Sequence, residues 1–276
     1  MKGTVADSPL TLRFARLRAQ GRKALIPYLM SGFPSRRAFR EIAARVLERE
    51  PDALEIGLPF SDPLADGPVV EAAGQRALAQ GGALASTLDD VAWLARRFAQ
   101  TPLVLMSYFN PLRAHGLARA ARESRAAGIS AWIVPDRDLL AGDEVVLPAR
   151  AAGLDVVPLV APTTPVARLD ELLAGASGFV YVVAVTGVTG ARRGRRFALA
   201  ELLATLRRRT ALPLCVGFGI ASGRQAEAVA RLADGVIVGS VLLEPLLAGD
   251  GARGRREVVA RLDELRRGVE RTRREP

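Results

Sequence analysis

Short apolar runs alternate with longer amphipathic segments along nearly the whole chain, and no other feature limits its possible folds so strongly. The runs fall at 24–30, 53–58, 103–106, 131–134, 155–160, 178–183, 213–217 and 235–238. Segments with helical spacing follow them at 37–48, 88–98, 112–127, 141–152, 166–173, 199–208, 224–232 and 256–270. Strands that alternate with helices form a parallel sheet whose crossovers are those helices. Eight such units close a barrel, and the 276 residues suit a single α/β domain of the (β/α)8 TIM-barrel class, for which about 250 is typical. An extra N-terminal helix at 10–19 is placed to close the bottom of the barrel. An open doubly wound sheet is the other arrangement, but no Gly-x-Gly-x-x-Gly follows the first strand. No compositional break divides the chain, so residues 1–276 read as one domain, with the charged tail at 264–276 expected to fray.

The second run carries the first candidate chemistry. With a period of two, Leu54, Ile56 and Leu58 fall on one face of the strand, while Ala53, Glu55 and Gly57 fall on the other. Glu55 is thereby expected inside the barrel. The strand stops at Pro59 and gives way to a loop rich in proline, aspartate and glycine, which contains Asp62 and Asp66. Barrel active sites lie at the carboxyl ends of strands, so Glu55 and Asp66 are the leading acid/base pair.

Other chemistries lack their residues. A Schiff base needs a lysine in the site, but Lys2 lies in the amino-terminal tail and Lys23 at the opposite end of the barrel. The one histidine, His115, sits in an arginine- and alanine-rich helix and cannot supply a zinc site or a nucleophile–histidine pair, so no metal is expected. Cys215 is the single cysteine, in an apolar run, and is read as a buried thiol.

A phosphate site is expected from Val188-Thr189-Gly190 after the sixth strand, Gly217-Phe218-Gly219-Ile220 at the end of the seventh, and Gly239-Ser240 before a short helical run at 241–247. Amides exposed by glycines, together with a helix amino terminus, bind phosphate, and the loops after strands seven and eight are its usual place in this fold. Tyr28, Val70, Met106, Tyr108, Ile133, Tyr181 and Phe218 fall at or just beyond strand ends and could form an apolar slot for a flat ring.

Net charge is +10, almost all of the cationic charge being arginine. The arginines alternate with glutamates along helices, as in Arg255-Arg256-Glu257, which reads as solvated helix faces rather than a nucleic-acid surface. No apolar run reaches the roughly 18 residues of a membrane span, and the first 19 residues lack the apolar core of a secretory signal, so no membrane is expected and the compartment is read as cytoplasmic.

The run from Leu54 to Pro68, Leu-Glu-Ile-Gly-Leu-Pro-Phe-Ser-Asp-Pro-Leu-Ala-Asp-Gly-Pro, closely resembles the signature of the tryptophan synthase alpha subunit family. Phe179-Val180-Tyr181, Met106-Ser107-Tyr108-Phe109-Asn110-Pro111 and Val134-Pro135-Asp136 also resemble family segments, so that the likeness extends from Pro27 to about Ser240. The resemblance implies retro-aldol cleavage of indole-3-glycerol phosphate to indole and glyceraldehyde 3-phosphate. Indole leaves only if its carbon 3 is protonated, charge at the ring nitrogen is stabilised and the neighbouring hydroxyl loses its proton. Glu55, facing a low-dielectric interior, should have a raised pKa and move protons, while Asp66 on a wetter loop should stay ionised and hold the indole N–H. By the same resemblance Tyr181 lies near the catalytic glutamate, and Gly190, Gly219, Gly239 and Ser240 hold the phosphate. Thr189 would reach Asp66 when the loop at 187–197 closes, and Asp62 would signal to a partner. That partner is a beta subunit in an alpha-beta-beta-alpha assembly, and pyridoxal phosphate is expected only there, with no cofactor in this chain. A stand-alone lyase releasing indole and a silent barrel acting as an allosteric partner are the rival readings. The chain departs from the family pattern at Ala184, Glu71, Arg137-Asp138 and the arginines 192, 193, 195 and 196.

Overall fold

The computed structural model describes residues 8–138, 140, 142–184, 192–249 and 251–272, and for 192–197 the backbone alone. Its strands are β1 (Ala24–Met30), β2 (Leu54–Gly57), β3 (Leu103–Met106), β4 (Ile129–Ile133), β5 (Asp155–Val157), β6 (Leu159–Val160), β7 (Val180–Val183), β8 (Leu214–Gly217) and β9 (Gly235–Val238). All pair in parallel, in the order β5-β4-β3-β2-β1-β9-β8-β7-β6. The two outermost members are halves of the single run expected at 155–160, parted at Pro158, which has no N–H to give a ladder. β5 pairs with β4 and β6 with β7. The Ser177 amide also donates to the Val156 carbonyl at 2.8 Å, and the Tyr181 amide to the Pro158 carbonyl at 3.0 Å. One run therefore bridges both ends of the sheet, and the expected eight-stranded barrel closes.

The helices are α1 (Pro9–Ala19), α2 (Arg36–Leu47), α3 (Pro68–Leu78), α4 (Leu84–Ala95), α5 (Phe109–His115), α6 (Leu117–Ala127), α7 (Val146–Ala151), α8 (Val166–Ala174), α9 (Arg192–Arg207), α10 (Gly223–Ala230), α11 (Ser240–Ala248) and α12 (Ala252–Glu270). Side-chain caps start several of them: Ser8 accepts from the Thr11 amide at 3.0 Å and Ser35 from the Ala38 amide at 3.2 Å. α2 then buries Phe39, Ile42, Val46 and Leu47 against the sheet. The sequence reading passed over α3, whose inner face is built from the small residues Ala73, Gly74 and Ala77 rather than a strong apolar stripe. The helix expected at 112–127 is two helices, because Gly116 takes φ of +89° between them. The tail beginning at Glu264 does not fray there. α12 continues to Glu270 with Leu265 and Val269 buried, so packing outweighs the charge of that segment.

β1 to β4, covered on both faces, are buried along their whole length, as a parallel barrel requires. Its interior is filled partly by tyrosines lying over glycines. A Cβ at Gly57 would overlap the Tyr28 hydroxyl, and one at Gly217 would overlap the Tyr181 hydroxyl. Overpacking of this kind costs about 1–3 kcal/mol. Gly217→Ala is therefore expected to lose about that much in urea unfolding, while Gly249→Ala, where a Cβ meets nothing within 4 Å, stays within about 0.5 kcal/mol of the parent. Equal effects at the two positions would show that the Tyr181–Gly217 contact is slack.

Candidate active site

β2 fixes Glu55 by register, opposite Tyr28 on β1 and Val104 on β3. Its side chain points into the barrel and is 2% exposed, and among the described residues its Oε2 has no hydrogen-bond partner. Burial pushes the Glu55 carboxyl up to about 8, and the Asp66 charge adds to the shift. Asp66 lies on the loop between β2 and α3, where its amide donates to the Pro63 carbonyl at 3.3 Å. Burial raises its carboxyl to about 6, against a Tyr108 hydrogen bond that favours the ionised form, and with a further upward push from Glu71. Near neutral pH the two acids are thus in different states: Glu55 holds its proton and Asp66 is ionised.

Tyr108 is the side chain that steadies this loop. Its hydroxyl accepts from the Ala65 amide at 2.9 Å and bonds the Asp66 carboxylate, while its ring stacks on Phe60 at 5.3 Å. Sequence reasoning put Tyr108 and Ile133 in the ring pocket. Tyr108 instead stands behind Asp66, and Ile133 is buried in β4 opposite Met106 and Val157, so neither lines the cavity.

That cavity opens at the carboxyl end of the barrel and has a volume of about 310 Å³. Glu55 and Asp66 face it together with Tyr28, Val70, Met106, Tyr181 and Phe218, all singled out from the sequence. Tyr181 meets Phe218 edge to face at 5.9 Å. Gly219, Gly239 and Ser240 line the same cavity. Phe218 and Gly219 adopt φ of +74° and +75°, and a left-handed phenylalanine is a strained conformation held by its surroundings. Ser240 begins α11, whose first amides have no carbonyl one turn earlier, so the helix amino terminus faces the cavity.

Thr189, Gly190 and residues 185–191 generally lie outside the described residues, as do the side chains of the arginines at 192–196. Asp62 is exposed at the rim and accepts from the Ser61 hydroxyl. The cavity is also lined by Ile220, Val241 and Glu244, which fall within the segments expected around the phosphate but were given no role of their own, and by Pro68, Ala221 and Ile237, which were not assigned to the site. Two could have been singled out: Ile237 is two residues before Gly239 on one strand face, and Glu244 is one helical turn beyond Ser240. His115 is remote, its Nε2 lying 2.6 Å from Glu123 Oε2. Cys215 is fully buried within the barrel, and among the described residues no three His, Cys, Asp or Glu side chains converge as metal ligands. No helix among them is long and apolar enough to cross a membrane.

Burying Glu55 has a pH signature. Its folded pKa lies above the ordinary 4.5, so its contribution to stability is complete below that value and is lost as pH rises towards about 8. Within that window the loss is at most about 1.4 kcal/mol per pH unit. Glu55→Gln is expected to flatten this slope and to exceed the parent in stability near pH 9, as read by urea unfolding at pH 5, 7 and 9. Parallel profiles for parent and variant would refute a raised pKa.

The family described as "Tryptophan synthase alpha chain" matches residues 14–273. The "Tryptophan synthase alpha chain" of Chloroflexus aggregans is 48% identical over 86% of this chain and 89% of its own length. Among solved structures, the tryptophan synthase alpha chain of Legionella pneumophila superposes with a TM-score of 0.87 at 28% identity, covering 98% of this chain and 100% of that one. A chain of Mycobacterium tuberculosis tryptophan synthase does so with a TM-score of 0.84 at 36% identity, covering 95% and 98%. The chain belongs to the tryptophan synthase alpha chain family, whose members are lyases of tryptophan biosynthesis.

Proposed function

We propose that this chain cleaves indole-3-glycerol phosphate to indole and glyceraldehyde 3-phosphate, with Glu55 and Asp66 as its acid/base pair. The observation that carries the reading is the pair itself: two carboxyls on one largely apolar cavity, with pKa values near 8 and 6, and a helix amino terminus on the same cavity. Protonated Glu55 delivers its proton to indole carbon 3, and the resulting carboxylate takes the proton of the side-chain hydroxyl as the carbon–carbon bond breaks. Ionised Asp66 accepts the indole N–H and stabilises the positive charge that develops on the ring. The phosphate lies on the amides around Gly219, Gly239 and Ser240, with Gly190 assigned there from the family pattern. Tyr28, Val70, Met106, Tyr181 and Phe218 hold the ring, and Thr189 is assigned to loop closure over Asp66.

Indole passes to a pyridoxal phosphate-dependent beta subunit docked at the cavity mouth, in a soluble cytoplasmic alpha-beta-beta-alpha complex. Leu64, two residues from Asp62 on the loop that carries Asp66, is 90% exposed and offers an apolar contact for such a partner. Pyridoxal phosphate belongs to that subunit, since Lys23 pairs with Asp234 at 3.6 Å, beside the amino-terminal end of β1.

Indole release from indole-3-glycerol phosphate, with and without a beta subunit, tests the reading. Glu55→Gln and Asp66→Asn are each expected to lower kcat by about 10²–10⁴, the usual worth of general acid–base catalysis. Parent-like turnover in either variant would remove that residue from the mechanism. The rate profile of the free enzyme should rise as Asp66 ionises near pH 6 and fall as Glu55 ionises near pH 8. Because the Tyr108 hydrogen bond favours ionised Asp66, Tyr108→Phe should move the acid limb to higher pH and leave the alkaline limb in place. An acid limb that stayed put would mean Asp66 does not set it.

A further inference from the structure

The structure assigns Arg261 as a positioning residue of the phosphate end of the cavity: it completes the first turn of α11 and neutralises Glu244 beside it. This inference rests on the reading that the α11 amino terminus holds the phosphate. α11 contains Pro245. A proline there has no N–H to give the carbonyl four residues earlier, which belongs to Val241. Arg261, from α12, fills the gap, its Nη1 donating to the Val241 carbonyl at 2.8 Å. The same nitrogen lies 2.9 Å from Glu244 Oε2, while Nε bonds Glu257 Oε1 at 3.1 Å. The two burdens Arg261 relieves are both on the cavity wall, since Val241 and Glu244 line it.

The electrostatics give the pair its purpose. A phosphate dianion on the α11 amides would share the cavity with the Glu244 carboxylate, one helical turn on from Ser240, and like charges oppose binding. Arg261 supplies the opposite charge from the side away from the cavity and ties the carboxylate down. An ion pair whose side chains are 30% and 49% exposed contributes little to folding, so its main effect should appear in binding. Arg261 touches neither substrate nor reacting atoms on this account; it acts through Val241 and Glu244.

The test uses the full chain, with calorimetric binding of glycerol 3-phosphate and steady-state cleavage of indole-3-glycerol phosphate at low ionic strength. Arg261→Met should weaken glycerol 3-phosphate binding and raise KM by about threefold to tenfold, with kcat within about twofold. Adding Glu244→Gln should restore most of the loss, which repair of packing could not do, and Arg261→Lys should be milder than Arg261→Met. Glu244→Gln alone, which keeps Arg261 on α11, should bind the probe at least as tightly as the parent. An unchanged KM in Arg261→Met, a double variant as weak as the single one, or weaker binding by Glu244→Gln would each overturn the assignment. Should the parent bind glycerol 3-phosphate with this pattern yet fail to cleave the indole substrate, the proposed reaction falls and the role of Arg261 stands. Cleavage that all four variants leave untouched has the reverse meaning.

Discussion

A closed ring of parallel strands encloses a space that side chains must fill, because interiors are packed to near-crystalline density. How this chain fills it decides where its chemistry can sit. Low in the barrel the layer is compact: a Cβ at Gly235 would come within 2.6 Å of Cys215 Sγ and 3.0 Å of Ala24 Cβ. Above it, Tyr28 and Tyr181 lie over Gly57 and Gly217. The packing ends there, and the cavity begins among the same tyrosines. Glu55, level with Tyr28 in the strand register, is thus the floor of a pocket whose walls were built to exclude water.

Its protonation follows from that position. Among the described residues Glu55 Oε2 has no hydrogen-bond partner, and burial penalises the charged form, so the proton stays on near neutrality. Asp66 escapes this because it sits on a loop and because Tyr108 donates to it. The same stretch of chain therefore presents a proton donor and an anion some eleven residues apart in sequence. Strand register sets the first and loop architecture the second.

What could be read in advance divides along these physical lines. Alternation of strand and helix gave the barrel, and period two gave the inward face of Glu55, because both depend on local patterning. The break at Pro158 within one strand, and the division of a helix at Gly116, rest on single residues set within patterns that otherwise run on unbroken. Tyr108 shows the other limit. Its place near a strand end suggested a pocket wall, but its role depends on a hydrogen bond to Ala65, 43 residues away, which no periodicity encodes. α12 makes the same point from the opposite side: its highly charged segment is helical because Leu265 and Val269 pack inward, and Glu264 accepts from the Gly223 amide of α10 at 2.9 Å.

A chain with a net charge of +10 nonetheless lines its cavity with three acids, Glu55, Asp66 and Glu244, and keeps Glu71 close enough to shift Asp66. Such a cavity would repel a phosphate dianion unless the charges were managed one by one. Glu55 is silent because burial keeps it protonated. On the proposed mechanism Asp66 remains charged for the ring nitrogen. Glu244 lies on α11, whose amino terminus is the proposed phosphate site, and no step proposed for the cleavage uses its charge. An arginine from the neighbouring helix meets it, and that arginine also satisfies the carbonyl that Pro245 leaves without a donor. The abundance of arginine along the outer helices is therefore not a uniform coat: at Arg261 it reaches residues that wall the site.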